Sequence, residues 1–159
     1  MHLPKLAITE GDPSSIGPEI ISKAFQTDLL EQAMWTVIGE KEWLTTLPEH
    51  PHLAVIDQGT DSYAYVKTAV NLALRGDVVG IVTAPICKEV WIRAGKPFAG
   101  HTEMLAVLSK TTRYAMAFAS PKLNVMLATI HVPLADVSKQ LTHDGLLEKI
   151  LLANTFGVS

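Results

Sequence analysis

Short apolar runs alternate along this chain with segments whose apolar residues recur at helical spacing. The apolar runs predict strands at residues 6–9, 35–38, 53–56 and 78–83. The periodic segments predict helices that begin near Gly17, Ser62 and His143. Strands that alternate with helices indicate an α/β protein in which at least some strands are parallel.

The same pattern predicts which side chains are buried. The apolar stripe of the first helix comprises Ile16, Ile20 and Ala24, with Ile21 and Phe25 beside them. That of the last helix comprises Leu147, Ile150 and Leu151. Residues 78–83 are nearly all apolar, which is typical of a strand covered on both faces. Residues 114–119 and 123–129 flank a Ser-Pro-Lys turn, so we expect a hairpin there.

Composition and charge restrict the class of protein. The chain has 159 residues, of which 48% are hydrophobic and 18% charged, so we expect one domain with no internal boundary over residues 1–159. Its net charge of −3 and its scattered basic residues argue against a nucleic-acid partner. A single cysteine, Cys87, excludes an internal disulfide and suits a reducing compartment. Because we find neither a signal-peptide pattern nor a membrane-spanning apolar run, we expect a cytoplasmic protein with no membrane partner.

Three polar segments stand where ligands gather in α/β proteins, at the carboxyl ends of strands. The loop of residues 11–19 contains Asp12 and precedes a helix, so it is either an anion-binding loop or a capped turn. Thr102 is predicted to be a helix N-cap, and His101 beside it either donates to a phosphate or is simply exposed. His131, directly after the predicted strand 123–129, is either a metal ligand or a hydrogen-bonded structural histidine.

Four further polar residues receive weaker interpretations. His50 and His52 flank Pro51 in a polar loop and are expected to face solvent. Cys87 is interpreted as a packing residue rather than a nucleophile. Lys88 either reaches an anion or lies in water.

Taken together, these segments resemble one known family. The segments in question are LAITEGDPSSIGPEI, GIVTAPICKE, PFAGHTEML and LATIHVPLADV, in this order. They are similar to the PdxA family of 4-hydroxythreonine-4-phosphate dehydrogenases of pyridoxal phosphate biosynthesis. The resemblance implies a three-layer α/β/α fold of the isocitrate and isopropylmalate dehydrogenase type, of which this chain would be the N-terminal portion, about half.

The resemblance also implies site residues, cofactors and partners. It makes His101 and Thr102 the substrate-binding pair and His131 one of three metal-binding histidines, and it ranks Asp12 and Lys88 second as catalytic candidates. It implies NAD and a divalent metal ion (Zn, Mg or Co) as cofactors, a phosphorylated small-molecule substrate, and a homodimer. We expect His131 and residues 101–102 to open into one hollow.

This sequence departs from the family pattern in two places. Ser14-Ser15 replaces the Ala-Gly usual in the family, and Ser15 would be strained by about 1 kcal/mol if its backbone needed a positive φ. The family motifs with the other two metal histidines and much of the NAD site are not in this sequence, so we expect no turnover from this chain alone. The alternatives are a dehydrogenase of threonate or erythronate 4-phosphate and a non-catalytic phosphate-binding half-fold.

Overall fold

The computed structural model describes residues 2–96 and 98–157. They form two compact units, Met1–Ser109 and Lys110–Ser159, which are described one at a time below. The absence of an internal domain boundary stays a prediction.

A parallel sheet of four strands organises the first unit. The strands are β1 (Lys5–Thr9), β2 (Met34–Gly39), β3 (Leu53–Asp57) and β4 (Gly80–Thr83). Their order across the sheet is β3-β2-β1-β4, and each neighbouring pair is parallel. All four strands lie where the apolar runs predicted them, so their carboxyl ends meet at one edge of the sheet.

Helices cover both faces of this sheet. They are α1 (Gly17–Ala24), α2 (Lys41–Leu44), α3 (Ser62–Leu74), α4 (Lys88–Arg93) and α5 (His101–Ser109), with a short 3₁₀ helix at Asp28–Glu31. In β1, Ile8 packs in one core cluster with Ile21 of α1, whereas the adjacent Ala7 packs in another cluster with Tyr65 of α3. Because successive strand residues point to opposite faces, α1 and α3 lie on opposite sides of the sheet. The predicted three-layer α/β/α arrangement is confirmed.

Two predictions of burial in this unit are wrong. Within the stripe predicted for α1, Ile16 and Ile20 are 56% and 47% exposed, and only Ile21 and Phe25 beside them pack in the core. Residues 78–83 are not covered on both faces: β4 is an edge strand, and Val82 is 41% exposed. Helical periodicity alone does not show which of two adjacent apolar stripes packs against the sheet, because their positions differ by only one residue.

The second unit is small. It contains the strands β5 (Ala117–Phe118) and β6 (Val125–Met126), a 3₁₀ helix at Leu134–Asp136, and the helices α6 (Val137–Gln140) and α7 (His143–Gly157). The strands pair antiparallel, so the predicted hairpin is confirmed, although its strands are shorter than expected. The prediction that Leu147, Ile150 and Leu151 of α7 face inward is wrong, because all three side chains are exposed. None of the described residues 110–157 is buried, so nothing within this unit covers that stripe.

Within the described residues, no helix has both the length and the apolar composition needed to cross a bilayer.

Candidate functional site

A cleft of about 610 Å³ opens at the carboxyl ends of the parallel strands in the first unit. Three segments form its walls: the loop after β1, the start of α3, and helix α4 with the loop after it. Its polar lining includes Asp12, Ser14, Asp61, Ser62 and Lys96. The cleft therefore lies where ligands bind in open α/β sheets.

The loop after β1 is held in a tight turn against the segment that follows β4. The Asp12 backbone N–H donates to the Pro85 carbonyl oxygen at 2.9 Å, and the Asp12 carboxylate accepts from the backbone N–H and the hydroxyl of Ser14 at 2.9 and 2.7 Å. Gly11 has φ +83°, and a Cβ there would collide with the Pro85 carbonyl. A glycine is therefore required for the close approach of the two loops.

The strain anticipated at Ser15 does not occur. Among the described non-glycine residues, a positive φ is found at Lys110 and His131 and not at Ser15. The Ser15 hydroxyl instead donates to the Asp12 carbonyl oxygen at 2.8 Å. The two serines thus reinforce the turn rather than distort it.

The opposite wall combines a helix cap with a lysine. Asp61 is the N-cap of α3, and its carboxylate accepts from the Tyr63 backbone N–H at 2.9 Å. The Lys96 ammonium lies 4.6 Å from the centre of the Tyr63 ring, which is a cation–π distance. Together with Asp12, these residues give the cleft two carboxylates and one ammonium, a set of charges suited to a ligand that carries both signs.

A buried tryptophan connects the cleft to the start of α5. Trp91 is 1% exposed, and its indole N–H donates to the Ser62 hydroxyl at 2.8 Å. The His101 ring meets the Trp91 ring edge to face, with centroids 5.7 Å apart. The His101 ring therefore packs against a side chain that lines the cleft.

The environment of His101 is the most informative feature of the site. Its Nε2 atom is buried and has no hydrogen-bond partner among the residues that the structure describes. Burial lowers the pKa of the His101 imidazole, so the neutral ring is favoured in the folded protein. A buried polar atom without a partner is costly unless a ligand satisfies it.

The N-cap role predicted for Thr102 is wrong. Helix α5 begins at His101, two residues earlier than an N-cap at Thr102 would require, because the Met104 N–H already donates to the Gly100 carbonyl oxygen at 3.4 Å. Thr102 therefore lies in the first turn. The backbone N–H groups of residues 101 and 102 are among those that lack partners within the helix, and they lie at its positive end.

The remaining predicted residues lie in different environments. Lys88 is exposed at the first position of α4, and the half-buried Cys87 thiol donates to the Glu89 carboxylate at 3.2 Å. His131 belongs to the second unit, where it is exposed and has φ +57°. It does not directly follow a strand, because β6 ends at Met126. The hollow shared by His131 and residues 101–102 stays a prediction.

Glu10 is a buried acid that the sequence did not reveal. Its side chain is 1% exposed, and its carboxylate accepts from the Glu40 backbone N–H at 2.6 Å. Burial, opposed in part by this hydrogen bond, raises the pKa of the Glu10 carboxyl. The group follows β1 directly and ties the loop before Asp12 to the loop after β2, so its role is to hold the wall of the cleft.

Comparison with known proteins agrees with this architecture. A family model described as "Pyridoxal phosphate biosynthetic protein PdxA" matches residues 20–157. This chain belongs to the PdxA family. Among curated PdxA relatives, the 4-hydroxythreonine-4-phosphate dehydrogenase of Synechococcus sp. (strain JA-3-3Ab) is 40% identical, with 93% of this chain and 53% of that protein covered.

Other relatives carry related names. The D-threonate 4-phosphate dehydrogenase of Salmonella typhimurium (strain LT2) is 34% identical, with 98% of this chain and 59% of that protein covered. The crystal structure of 4-hydroxythreonine-4-phosphate dehydrogenase from Klebsiella pneumoniae superposes with a TM-score of 0.86 at 30% identity, covering 97% of this chain and 58% of that one. The chain thus spans somewhat more than half the length of the PdxA proteins it matches.

Proposed function

We propose that this chain supplies the substrate-binding half of a PdxA-type dehydrogenase. The reaction would be the NAD-dependent, divalent-metal-assisted oxidation of 4-phosphohydroxy-L-threonine, with decarboxylation, in pyridoxal phosphate biosynthesis. One observation carries the proposal: in a member of this family, the His101 Nε2 atom at the start of α5 is buried without a partner among the described residues, and its ring packs against Trp91 of the cleft lining. Such an atom supports a role in ligand binding.

In this proposal the phosphate of the substrate binds at the start of α5. The His101 ring would donate one hydrogen bond, and backbone N–H groups of the first turn, including that of Thr102, would donate others. Because a bound dianion favours the imidazolium, ligand binding would reverse the lowering of the His101 pKa that burial causes. The ammonium of Lys96 and the carboxylates of Asp12 and Asp61 would face the charged groups at the other end of the substrate.

This chain offers fewer candidate residues for binding the cofactors than for binding the substrate. Among the described residues, the group of three potential metal ligands that lie close together does not include His131. The sequence contains no G-x-G-x-x-G fingerprint for NAD. A homodimer, whose second subunit could contribute to the site, remains part of the proposal.

Calorimetric titration with 4-phosphohydroxy-L-threonine tests the substrate site. We expect saturable binding to the wild-type chain, at least about tenfold weaker binding to His101→Ala, and no binding of the unphosphorylated 4-hydroxy-L-threonine. His143→Ala is the matched control, because the ring of His143 is 89% exposed and far along the chain, in α7. Equal affinities of the wild type and His101→Ala would contradict the proposed site.

A turnover assay and binding measurements with other phosphate esters distinguish the proposed function from its alternatives. With NAD, substrate and Zn²⁺, Mg²⁺ or Co²⁺, we expect no NADH from this chain alone, since one metal histidine is present. Preferential binding of D-threonate 4-phosphate over the amino substrate would instead favour the activity named for the Salmonella relative. Binding of any phosphate ester with no effect of metal would favour a non-catalytic phosphate-binding module.

A further inference from the structure

Three side chains with metal-ligand chemistry lie together on the first unit, at the end of the sheet opposite the cleft. Glu31 ends the 3₁₀ helix that precedes β2, and His50 and His52 lie just before β3. Because the strands are parallel, their amino ends meet at one edge of the sheet. The expectation that both histidines face solvent is wrong, since their side chains are 20% and 26% exposed.

The distances between these groups are close to those of a metal site. The His50 Nε2 and Glu31 Oε1 atoms are 3.1 Å apart, and the His52 Nδ1 and Glu31 Oε2 atoms are 3.8 Å apart. One ligand atom from each residue lies within 4.8 Å of the other two. In a tetrahedral zinc site with bonds of about 2.0–2.1 Å, neighbouring ligand atoms are about 3.3 Å apart. Small side-chain rotations would therefore bring the three groups into coordination distance.

Surrounding contacts fix the orientation of both rings. His52 Nδ1, the ring nitrogen that faces Glu31, is also 3.2 Å from the Leu30 carbonyl oxygen, so a metal ion bound at Nδ1 would replace that hydrogen bond and leave the ring proton on Nε2. The two rings meet edge to face, with centroids 5.1 Å apart. The carboxylate of Glu31 is 67% exposed, so solvent has access to the site.

We propose that Glu31, His50 and His52 form a binding site for a divalent transition-metal ion of the zinc type. Two imidazoles and one carboxylate are a donor set that zinc accepts, with water in the fourth position. These three residues belong to the first unit, whereas His131 belongs to the second.

The position of the ring proton on His50 limits the affinity of the site for metal. Without metal, His50 Nδ1 accepts from the His52 backbone N–H at 3.2 Å, so Nε2 carries the proton and donates it to Glu31. Coordination through Nε2 moves the ring proton to Nδ1 and breaks that backbone hydrogen bond. We therefore expect binding in the micromolar range rather than the tighter binding of closed structural zinc sites.

Titration of the tag-free chain with zinc chloride tests the site. The wild type should bind one zinc ion with micromolar affinity, and Glu31→Gln and His52→Ala should each bind at least about tenfold more weakly. His143→Ala and His131→Ala are matched controls, since each removes a histidine outside the cluster, and both should bind as the wild type does. Cobalt(II) should give the visible absorption of a four-coordinate ion with the wild type and lose it with His52→Ala.

The outcomes that overturn the site are equally specific. They are no saturable zinc binding by the wild type, unchanged affinity in both cluster variants, or loss of zinc binding in His131→Ala. Glu31→Gln is a conservative change of an exposed side chain, so weaker zinc binding by this variant would not result from misfolding. Its melting temperature without zinc should match that of the wild type, and the rise that zinc produces in the wild type should be reduced.

Discussion

The hydrogen bond between Trp91 and Ser62 predicts a measurable coupling energy. Both side chains are buried, at 1% and 6% exposure, and the indole N–H donates to the hydroxyl at 2.8 Å. Ser62→Ala leaves the indole N–H without a partner, which costs about 1–3 kcal/mol. Trp91→Phe leaves the hydroxyl without its donor and also removes buried volume, so we expect about 2–4 kcal/mol.

The double variant distinguishes this bond from general packing. Because the second substitution removes a group that the first has already left unpaired, the double variant should be less destabilised than the sum of the two by about 1–2 kcal/mol. Urea unfolding followed by far-ultraviolet circular dichroism measures all four free energies. Trp91→Phe should also weaken binding of the phosphorylated substrate, since the indole holds the His101 ring in place.

A second tryptophan–serine pair supplies the control. The Trp43 indole N–H donates to the Ser22 hydroxyl at 3.2 Å, but this bond is only partly buried. Water can replace either partner there, so its coupling energy should be below about 0.5 kcal/mol. Strictly additive costs for the Trp91 and Ser62 substitutions, or equal coupling in the two pairs, would refute the reasoning.

Three further predictions concern the walls of the cleft. Gly11→Ala should destabilise the protein by more than about 2 kcal/mol, because strain at a positive φ adds to a collision with the Pro85 carbonyl. Gly59→Ala, at φ +65° with open space around it, should cost only about 1 kcal/mol. Thermal melting of the two variants measures the difference. Since the Glu10 pKa is raised on folding, the wild type should lose stability as pH rises from the unfolded pKa of 4.5 through the folded one, and Glu10→Gln should remove that loss in unfolding experiments across this range. Asp61→Ala should cost about 1 kcal/mol as a lost helix cap. Asp61→Asn should keep the cap but, in calorimetry, bind 4-phosphohydroxy-L-threonine more weakly, because the carboxylate that would face the substrate's ammonium group is lost.

Much of the fold could be predicted because it depends on local patterns. The four strands are short apolar runs bounded by turn residues, and α3 has a clear periodicity and an Asp cap at residue 61. Which stripe of α1 is buried could not be predicted, because Ile20 and Ile21 are equally apolar and only the sheet decides between them. The exposed stripe of α7 has the same cause: periodicity shows an apolar face but not what covers it.

The candidate site was predicted only in part. His101 and Thr102 were predicted as the substrate-binding pair from motif residues that the family shares, and this role stays a prediction. The structure adds that the His101 Nε2 atom is buried without a partner among the described residues. Trp91 gave no signal, since a tryptophan in a short helix is usually a packing residue. The cluster of His50 and His52 with Glu31 was missed because its two segments are distant in sequence, and only the parallel order of β2 and β3 brings them together.

The ring-nitrogen NMR spectrum of His101 during titration with 4-phosphohydroxy-L-threonine tests the central claim most directly. Without ligand, burial should hold the pKa of this ring below its usual range. With ligand, the Nε2 signal should shift and the pKa should rise, because the phosphate accepts a hydrogen bond from that atom and stabilises the imidazolium. If the ligand binds to saturation while the Nε2 signal and the pKa of His101 stay unchanged, the phosphate does not bind at the start of α5.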